Sequence, residues 1–425
     1  MFRYFLLSIL VLSPLALASD GDHGTCSEVS SDITICANGT EVTHVTISRR
    51  RGYETLDLKN YTSIAPNALQ DLKVFSLTLQ LGDPSSCEPK AFDLTAESFN
   101  GVGARLRYLY INCWDVPKES NVLKNCPILS KVELKTSSLT EIPKVLLKDL
   151  SFLDMFIVEG HRIRSLDDSS FSGMPDHVEL MYINDGPLES IQGSPFRNLR
   201  GLGRFSLKNN KISDLQPGVF NGLVNVEKLS LELNLIEKIR KNVFTSDLAK
   251  LKGIDIRNNR IKDIESGAFY GVSMNGLFLT NNSLETLPAG ALDGIKGLSM
   301  LELSGNKFSV IPSHYFSDLR DLQWLKINNG ALSRIEAYGL TGSKYSSIEI
   351  RNNPNLTELL TDAFNGVRGS TVILKMENNN IKIVQDNAFR NADLFTIYLS
   401  GNPVEDRNVT RWGVSEKTSV YFRDL

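Results

Sequence analysis

Between Leu202 and Leu319 the apolar residues follow one pattern written five times. Leu202-x-x-Phe205-x-Leu207-x-x-Asn210-x-Ile212-x-x-Leu215 is followed by Phe220 and Leu223. Val226, Leu229, Leu231, Asn234, Ile236, Ile239, Phe244 and Leu248 fill the same places in the next copy, and further copies begin at Leu251, Met274 and Leu298. Successive starts lie 23 to 25 residues apart. A fixed period in that range marks a solenoid, in which each unit buries its apolar edge only against its neighbours. Positions 1, 4 and 6 of each copy predict a short strand whose alternate side chains enter the core. The Asn at position 9 ends that strand at a sharp turn, where its amide can bond backbone groups of the adjoining turns. The later Phe and Leu close the opposite, convex side.

The same ruler extends in both directions with poorer fit. Towards the N-terminus, Leu56-x-Leu58 and Leu77-x-Leu79 are strand cores, and a segment around residues 82–96 that carries Cys87 is an insertion. Repeats starting at Leu106, Leu129, Leu153 and Val178 keep the apolar spacing but put Trp114, Ser137, His161 and Gly186 at position 9. Residues 53–200 are therefore the irregular part of a solenoid running over 53–403. Their departures fit either divergent structure or loops reshaped for a partner. Towards the C-terminus, repeats starting at Leu322, Tyr345, Thr371 and Leu394 carry Gly330, Asn353, Asn379 and Asn402. Val42, Val45 and Ile47 are spaced to form a first strand.

This frame resembles the leucine-rich repeat family in its extracellular form of about 24 residues, the repeat type of Toll-like ectodomains, Slit, chaoptin-like adhesion proteins and small matrix proteoglycans. The resemblance implies an α/β solenoid: a curved horseshoe with a concave parallel sheet of about fifteen strands and a convex side of short helical turns and loops. Cys26 and Cys36 look like a reduced version of the cysteine-bearing N-terminal cap, here residues 19–52. A cap is physically required, since the first repeat would otherwise expose an apolar edge and unpaired strand groups. The C-terminal cap, residues 404–425, lacks the family's cysteines and is expected to close by packing around Trp412 and Val420 to Phe422.

Five cysteines leave at least one thiol unpaired. Cys126 stands where other repeats have Leu150, Leu199, Leu223 and Leu319, so it is expected to be a buried, free apolar stand-in. The pairs are then Cys26–Cys36 and Cys87–Cys113, the second pinning the insertion to the next turn. A reactive or intermolecular Cys126 is the alternative.

Composition narrows the setting. Net charge is −3, which argues against a basic nucleic-acid-binding surface. A positive start at Arg3, an apolar run from Tyr4 to Leu12 and the small residues Ala16 to Ala18 read as a secretory signal over residues 1–18. No later run of 18 apolar residues could span a bilayer, and the C-terminal residues lack a lipid-anchor tail. A secreted, extracellular protein is expected. Sequons at Asn38, Asn60, Asn281, Asn355 and Asn408 fit that compartment. Arg49-Arg50-Arg51 is read as a solvated turn, with a heparin-like patch or processing site as the alternative.

No catalytic constellation is found. The five histidines are scattered, and no zinc, nucleophile-elbow or phosphate-cradling motif occurs. Neither a cofactor nor an enzymatic activity is expected. Function is assigned to positions 3 and 5 of the strands, which point outward from a rigid scaffold. Met155, Ile157, Leu180, Tyr182, Phe278, Met300 and Trp324 make these positions apolar or aromatic, as at a contact site. Glu302, Lys326, Glu349 and Lys375 alternate in sign along position 5 and are expected to pair across strands, while Glu302, Lys326 and Glu349 also count as partner-binding residues that steer a partner and set its orientation. The chain reads as a recognition protein binding a protein or glycoprotein on its concave face, in adhesion, matrix or immune recognition. A non-catalytic accessory or inhibitory subunit of a secreted enzyme and a structural matrix component are the alternatives. The ligand, the oligomeric state and the occupied sequons are not fixed by the sequence.

Overall fold

A computed structural model describes residues 24–48, 55–70, 72–81, 94–113, 121–135, 138–148, 150–369 and 371–423. The signal-like segment, Arg49 to Arg51, Cys87 with most of its insertion, Trp114 and Ser137 lie outside them. The chain divides into two compact units, Met1–Leu139 with Pro143–Met155, and Thr140–Ile142 with Phe156–Leu425.

The first unit opens with a three-strand antiparallel meander, Thr25–Ser30, Ile33–Asn38 and Glu41–Ile47, with Ser63–Ile64 added in parallel. Cys26 and Cys36 sit opposite one another in the first pair and are joined by a disulfide. The segment from Val42 to Ile47 therefore belongs to this cap sheet and not to the long ladder. Its Val42 and Val45 are buried, and Val45 N–H donates to Ala68 O at 3.0 Å, tying the cap to the first turn. Four parallel strands follow, Thr55–Lys59, Ser76–Gln80, Tyr108–Asn112 and Lys131–Lys135. Their register aligns Leu56, Leu77, Leu109 and Val132 in one buried row and Leu58, Leu79, Ile111 and Leu134 in the next. Cys126 is a buried free thiol whose pKa burial pushes up to about 12, as an apolar stand-in requires. Cys113 is disulfide-bonded, and its expected partner Cys87 lies outside the described residues.

The second unit carries twelve ladder strands, from Met155–Glu159 to Ser419–Tyr421. Four and twelve together agree with the expected count of about fifteen. Along the second ladder, position 4 forms one continuous buried row that includes Phe205, Leu229, Ile254, Leu277, Leu301 and Leu325. Each such residue touches equivalents on both sides, which is how a unit too small to fold alone gains a core.

The far side holds pairs of two-residue strands, such as Lys238–Ile239 with Asp263–Ile264, and a file of rings. Phe196, Phe220, Phe244 and Phe269 stack nearly parallel at 6.1, 5.6 and 5.3 Å. The expected solenoid of parallel-strand turns is present, and its return side carries loops with almost no helix. Among the described residues helix is confined to the single turns Lys144–Leu147 and Ala96–Phe99, so the fold is a β-solenoid. The return segments close through tight turns instead, as in Val219 N–H to Gln216 O at 3.2 Å and Leu223 N–H to Phe220 O at 3.3 Å. One helical turn would fix several dihedrals for a single bond, and nothing in so short a return offsets that cost.

At the C-terminal end, Ser419–Tyr421 pairs with Thr396–Tyr398, Tyr421 stacks on Tyr398 at 5.2 Å, and Trp412 is fully buried. Among the described residues no helix is long and apolar enough to cross a membrane, and no cluster of His, Cys, Asp and Glu could hold a metal ion.

Candidate functional site

The Asn at position 9 sets the frame for the ladder's outward face. Asn234 Nδ2 donates to Leu207 O at 2.9 Å and Leu231 O at 3.1 Å, while its Oδ1 accepts from Ile212 N–H at 3.1 Å. Asn259, Asn282 and Asn306 repeat this arrangement. The residue just before the Asn turns into the left-handed region, with φ of 51° at Asn209, 57° at Asn258 and 56° at Asn281. Short amide side chains tolerate that conformation, which explains the Asn-Asn pairs in the sequence. Leu233 adopts it too, at φ 58°, with its side chain 40% exposed.

His161 is a buried substitute for that Asn. Its Nδ1 accepts from Ile163 N–H at 3.1 Å, while Nε2 is buried without a partner. Burial lowers its pKa to about 4, against a weaker opposing pull from Asp185 and Asn210. The ring occupies the space where residue 186 would carry a side chain: a Cβ on Gly186 would lie 2.2 Å from His161 Cε1. The two departures from the repeat are one packed pair. They fit divergent structure and present no open contact site.

The candidate surface is formed by positions 3 and 5, and register decides what meets there. Position 3 runs Leu180, Arg204, Lys228, Gly253, Gly276, Met300, Trp324. Position 5 runs Tyr182, Ser206, Ser230, Asp255, Phe278, Glu302, Lys326. The two glycines leave a gap in the outward row, and the Phe278 ring lies down into it. A Cβ on Gly276 would be 3.0 Å from Phe278 Cε2 and Cζ, and one on Gly253 would be 3.7 Å from Cε2. The result is a depression of about 520 Å³ whose lining includes Tyr182, Lys228, Phe278 and Met300. Arg257 lies over the same ring at 5.8 Å and is held there by two bonds to Asp255, at 2.9 and 2.6 Å. Those bonds, more than nearby Glu232 and Glu302, raise its pKa above the ordinary arginine value.

The charges expected to pair do so. Lys326 meets Glu302 at 3.1 Å, Lys375 meets Glu349 at 3.1 Å, Lys208 meets Glu232 at 2.8 Å and Arg351 meets Glu377 at 2.9 Å. Partial burial would raise the Glu349 pKa, but the Lys375 hydrogen bond and nearby cations outweigh it and lower the value. Pairs this exposed each contribute only about 0–1 kcal/mol.

Among the residues singled out from the sequence, Tyr182, Phe278 and Met300 converge on the depression, and Trp324, 38% exposed, is the next residue along the row from Met300. Leu180 and Met155 are half-buried, whereas Ile157 is covered at 9% exposure and offers little to a partner. Arg204, Lys228, Gly253 and Gly276 were missed. Aligning the repeats on position 3 shows two cations followed by two glycines, and that was the available signal.

A family model described as leucine rich repeat matches residues 176–236, 224–274, 249–308 and 273–332. Residues 176–332 are thus leucine-rich repeats. Lumican from Coturnix japonica is 28% identical over 243 residues, which cover 51% of this chain and 66% of lumican. Keratocan from Gallus gallus is 27% identical over 239 residues, covering 50% of this chain and 65% of keratocan. The chain thus spans just under two thirds of the length of these relatives. Among solved structures, the Drosophila Toll–Spatzle complex matches with a TM-score of 0.59 at 14% identity, covering 96% of this chain and 58% of that one. The mouse RP105/MD-1 complex matches with a TM-score of 0.58 at 17% identity, covering 85% of this chain and 61% of that one. At these identities the likeness is one of fold.

Proposed function

We propose that this chain is an extracellular recognition protein that binds a protein or glycoprotein partner on the outward, concave face of the second unit's ladder, without catalysing a reaction. The observation that carries the reading is the contrast within that face. Glu302, Lys326, Glu349 and Lys375 are neutralised by one another, whereas Phe278, Met300 and Trp324 are left partly open in neighbouring strands. Apolar and aromatic groups grouped on a rigid exposed surface are what an interface centre requires.

The relatives support an extracellular matrix or recognition setting. The Toll and RP105 structures, by their titles, hold those proteins in complexes with Spatzle and MD-1. Secretion through the signal-like residues 1–18 belongs to the same reading, as do sugars at the sequons. Asn38, Asn60, Asn281, Asn355 and Asn408 are all exposed. A sugar on Asn281 would sit on the amide nitrogen that donates to Asn258 Oδ1 at 2.9 Å, leaving it one N–H.

The test is crosslinked affinity capture from the native fluid with wild-type, Phe278→Ala and Trp324→Ala chains. The variants are expected to lose the captured partner while keeping secretion level and thermal midpoint, because neither side chain is in the core. Equal capture by all three would remove this face from consideration.

A further inference from the structure

The depression over Gly253 and Gly276 also specifies what kind of partner group it takes. Arg204 and Lys228 are direct neighbours in the ladder register, both exposed, two like charges about 5 Å apart. Nearby Lys208, Lys252 and Arg257 are each matched by a carboxylate at 2.6–2.8 Å, whereas among the described residues neither Arg204 nor Lys228 forms such a pair, and Arg204 feels only the longer-range pull of Glu227, which is itself bonded to Lys252. Adjacent like charges on one face of a sheet destabilise the fold. Here the cost is incurred at the mouth of an apolar hollow. Immediately beyond them both outward side chains are absent, and the floor is the flat Phe278 ring with Met300 at its far wall. Arg257, bonded to Asp255, packs over that ring at 5.8 Å, which helps preorganise the floor.

We propose that this hollow receives a large apolar side chain of a protein partner, with an acidic residue beside it that meets Arg204 and Lys228. The hollow, at about 520 Å³, has room for an aromatic or long aliphatic side chain with its flanking groups, and the unpaired cations supply charge complementarity on one edge only. Desolvation of the apolar group over Phe278 gives affinity, and the cation pair fixes the orientation of the incoming segment. The proposal rests on the recognition reading above and assigns that site its partner chemistry.

The experiment pans a random peptide library displayed on phage against the full-length chain. Enriched peptides are then measured on wild type, Arg204→Glu/Lys228→Glu and Gly276→Leu. The expected consensus is Asp or Glu within one or two residues of Trp, Phe or Leu. Charge reversal should weaken these peptides roughly tenfold, and more at low salt. Gly276→Leu should abolish binding with folding retained, since residue 276 has an ordinary backbone and its new side chain displaces only the free end of Phe278. Enriched peptides without an acidic residue, or binding indifferent to the charge reversal, overturn the proposal. So does binding that survives Gly276→Leu, or a sulfated glycan that outcompetes the enriched peptides when added to the binding assay. If panning fails on wild type while Trp324→Ala still loses the native partner, the proposal falls and the recognition reading stands.

Discussion

Two kinds of turn in the same ladder differ by one amide. Where Asn234 stands, its side chain donates to the position-6 carbonyl of its own repeat and of the one before, and these strands are three residues long. Where His161 and Gly186 stand, that amide is missing, and Met155–Glu159 and Leu180–Asn184 run for five residues. The first unit, which has no such Asn, likewise has five-residue strands. A parallel ladder needs the position-6 carbonyl to continue, so the Asn amide ends the strand by taking its next acceptor. The repeat therefore preserves satisfied backbone groups, and residue identity follows from how they are satisfied.

The largest expected break comes from the Asn side. Asn234→Ala leaves Ile212 N–H buried without its acceptor and leaves Leu207 O and Leu231 O with one side-chain amide each, from Asn210 and Asn259, and should lower unfolding free energy by about 3 kcal/mol in urea titration. A loss below about 1 kcal/mol would mean that water or a lengthened ladder replaces the amide. Nearly as large is the pH response expected from His161. The unfolded chain gains a proton at this residue below about its ordinary 6.5, while the folded chain stays neutral down to about 4. Its contribution is therefore fully present above pH 6.5 and is lost as pH falls towards 4, on the order of 3 kcal/mol in all. Denaturation profiles of wild type and His161→Asn across that window read it directly, and parallel profiles would exclude His161 as the source. The smallest effect sharpens the turn itself. Leu233→Asn places the usual residue at φ 58° and should raise stability by about 1 kcal/mol, with partner capture as a second readout because Leu233 is exposed.

Much of this was legible in order along the chain. The spacing of Leu202, Phe205, Leu207 and Asn210 is a local fact with a local cause, because side chains alternate in a strand and an amide can stop one. It located the buried rows, the Phe file and the role of Cys126, and it anticipated the pairing of Glu302 with Lys326. It left the return segments as short helical turns and loops, because periodicity in so short a segment does not separate a turn of helix from successive tight turns. It also took Ile157 for an open contact, when its neighbours cover it.

By itself, then, the sequence determined the period, the core and the sign alternation of position 5, since each depends on residues within one repeat or on the fixed step between repeats. Only the tertiary structure decided what happens between repeats. Residues 161 and 186 become one packed pair, and residues 204, 228, 253, 276 and 278, spread over four turns, become one charged edge and one aromatic floor. Those relations depend on which side chain leans into which gap. A ring 25 residues away can fill the space a glycine leaves, and no spacing rule records that.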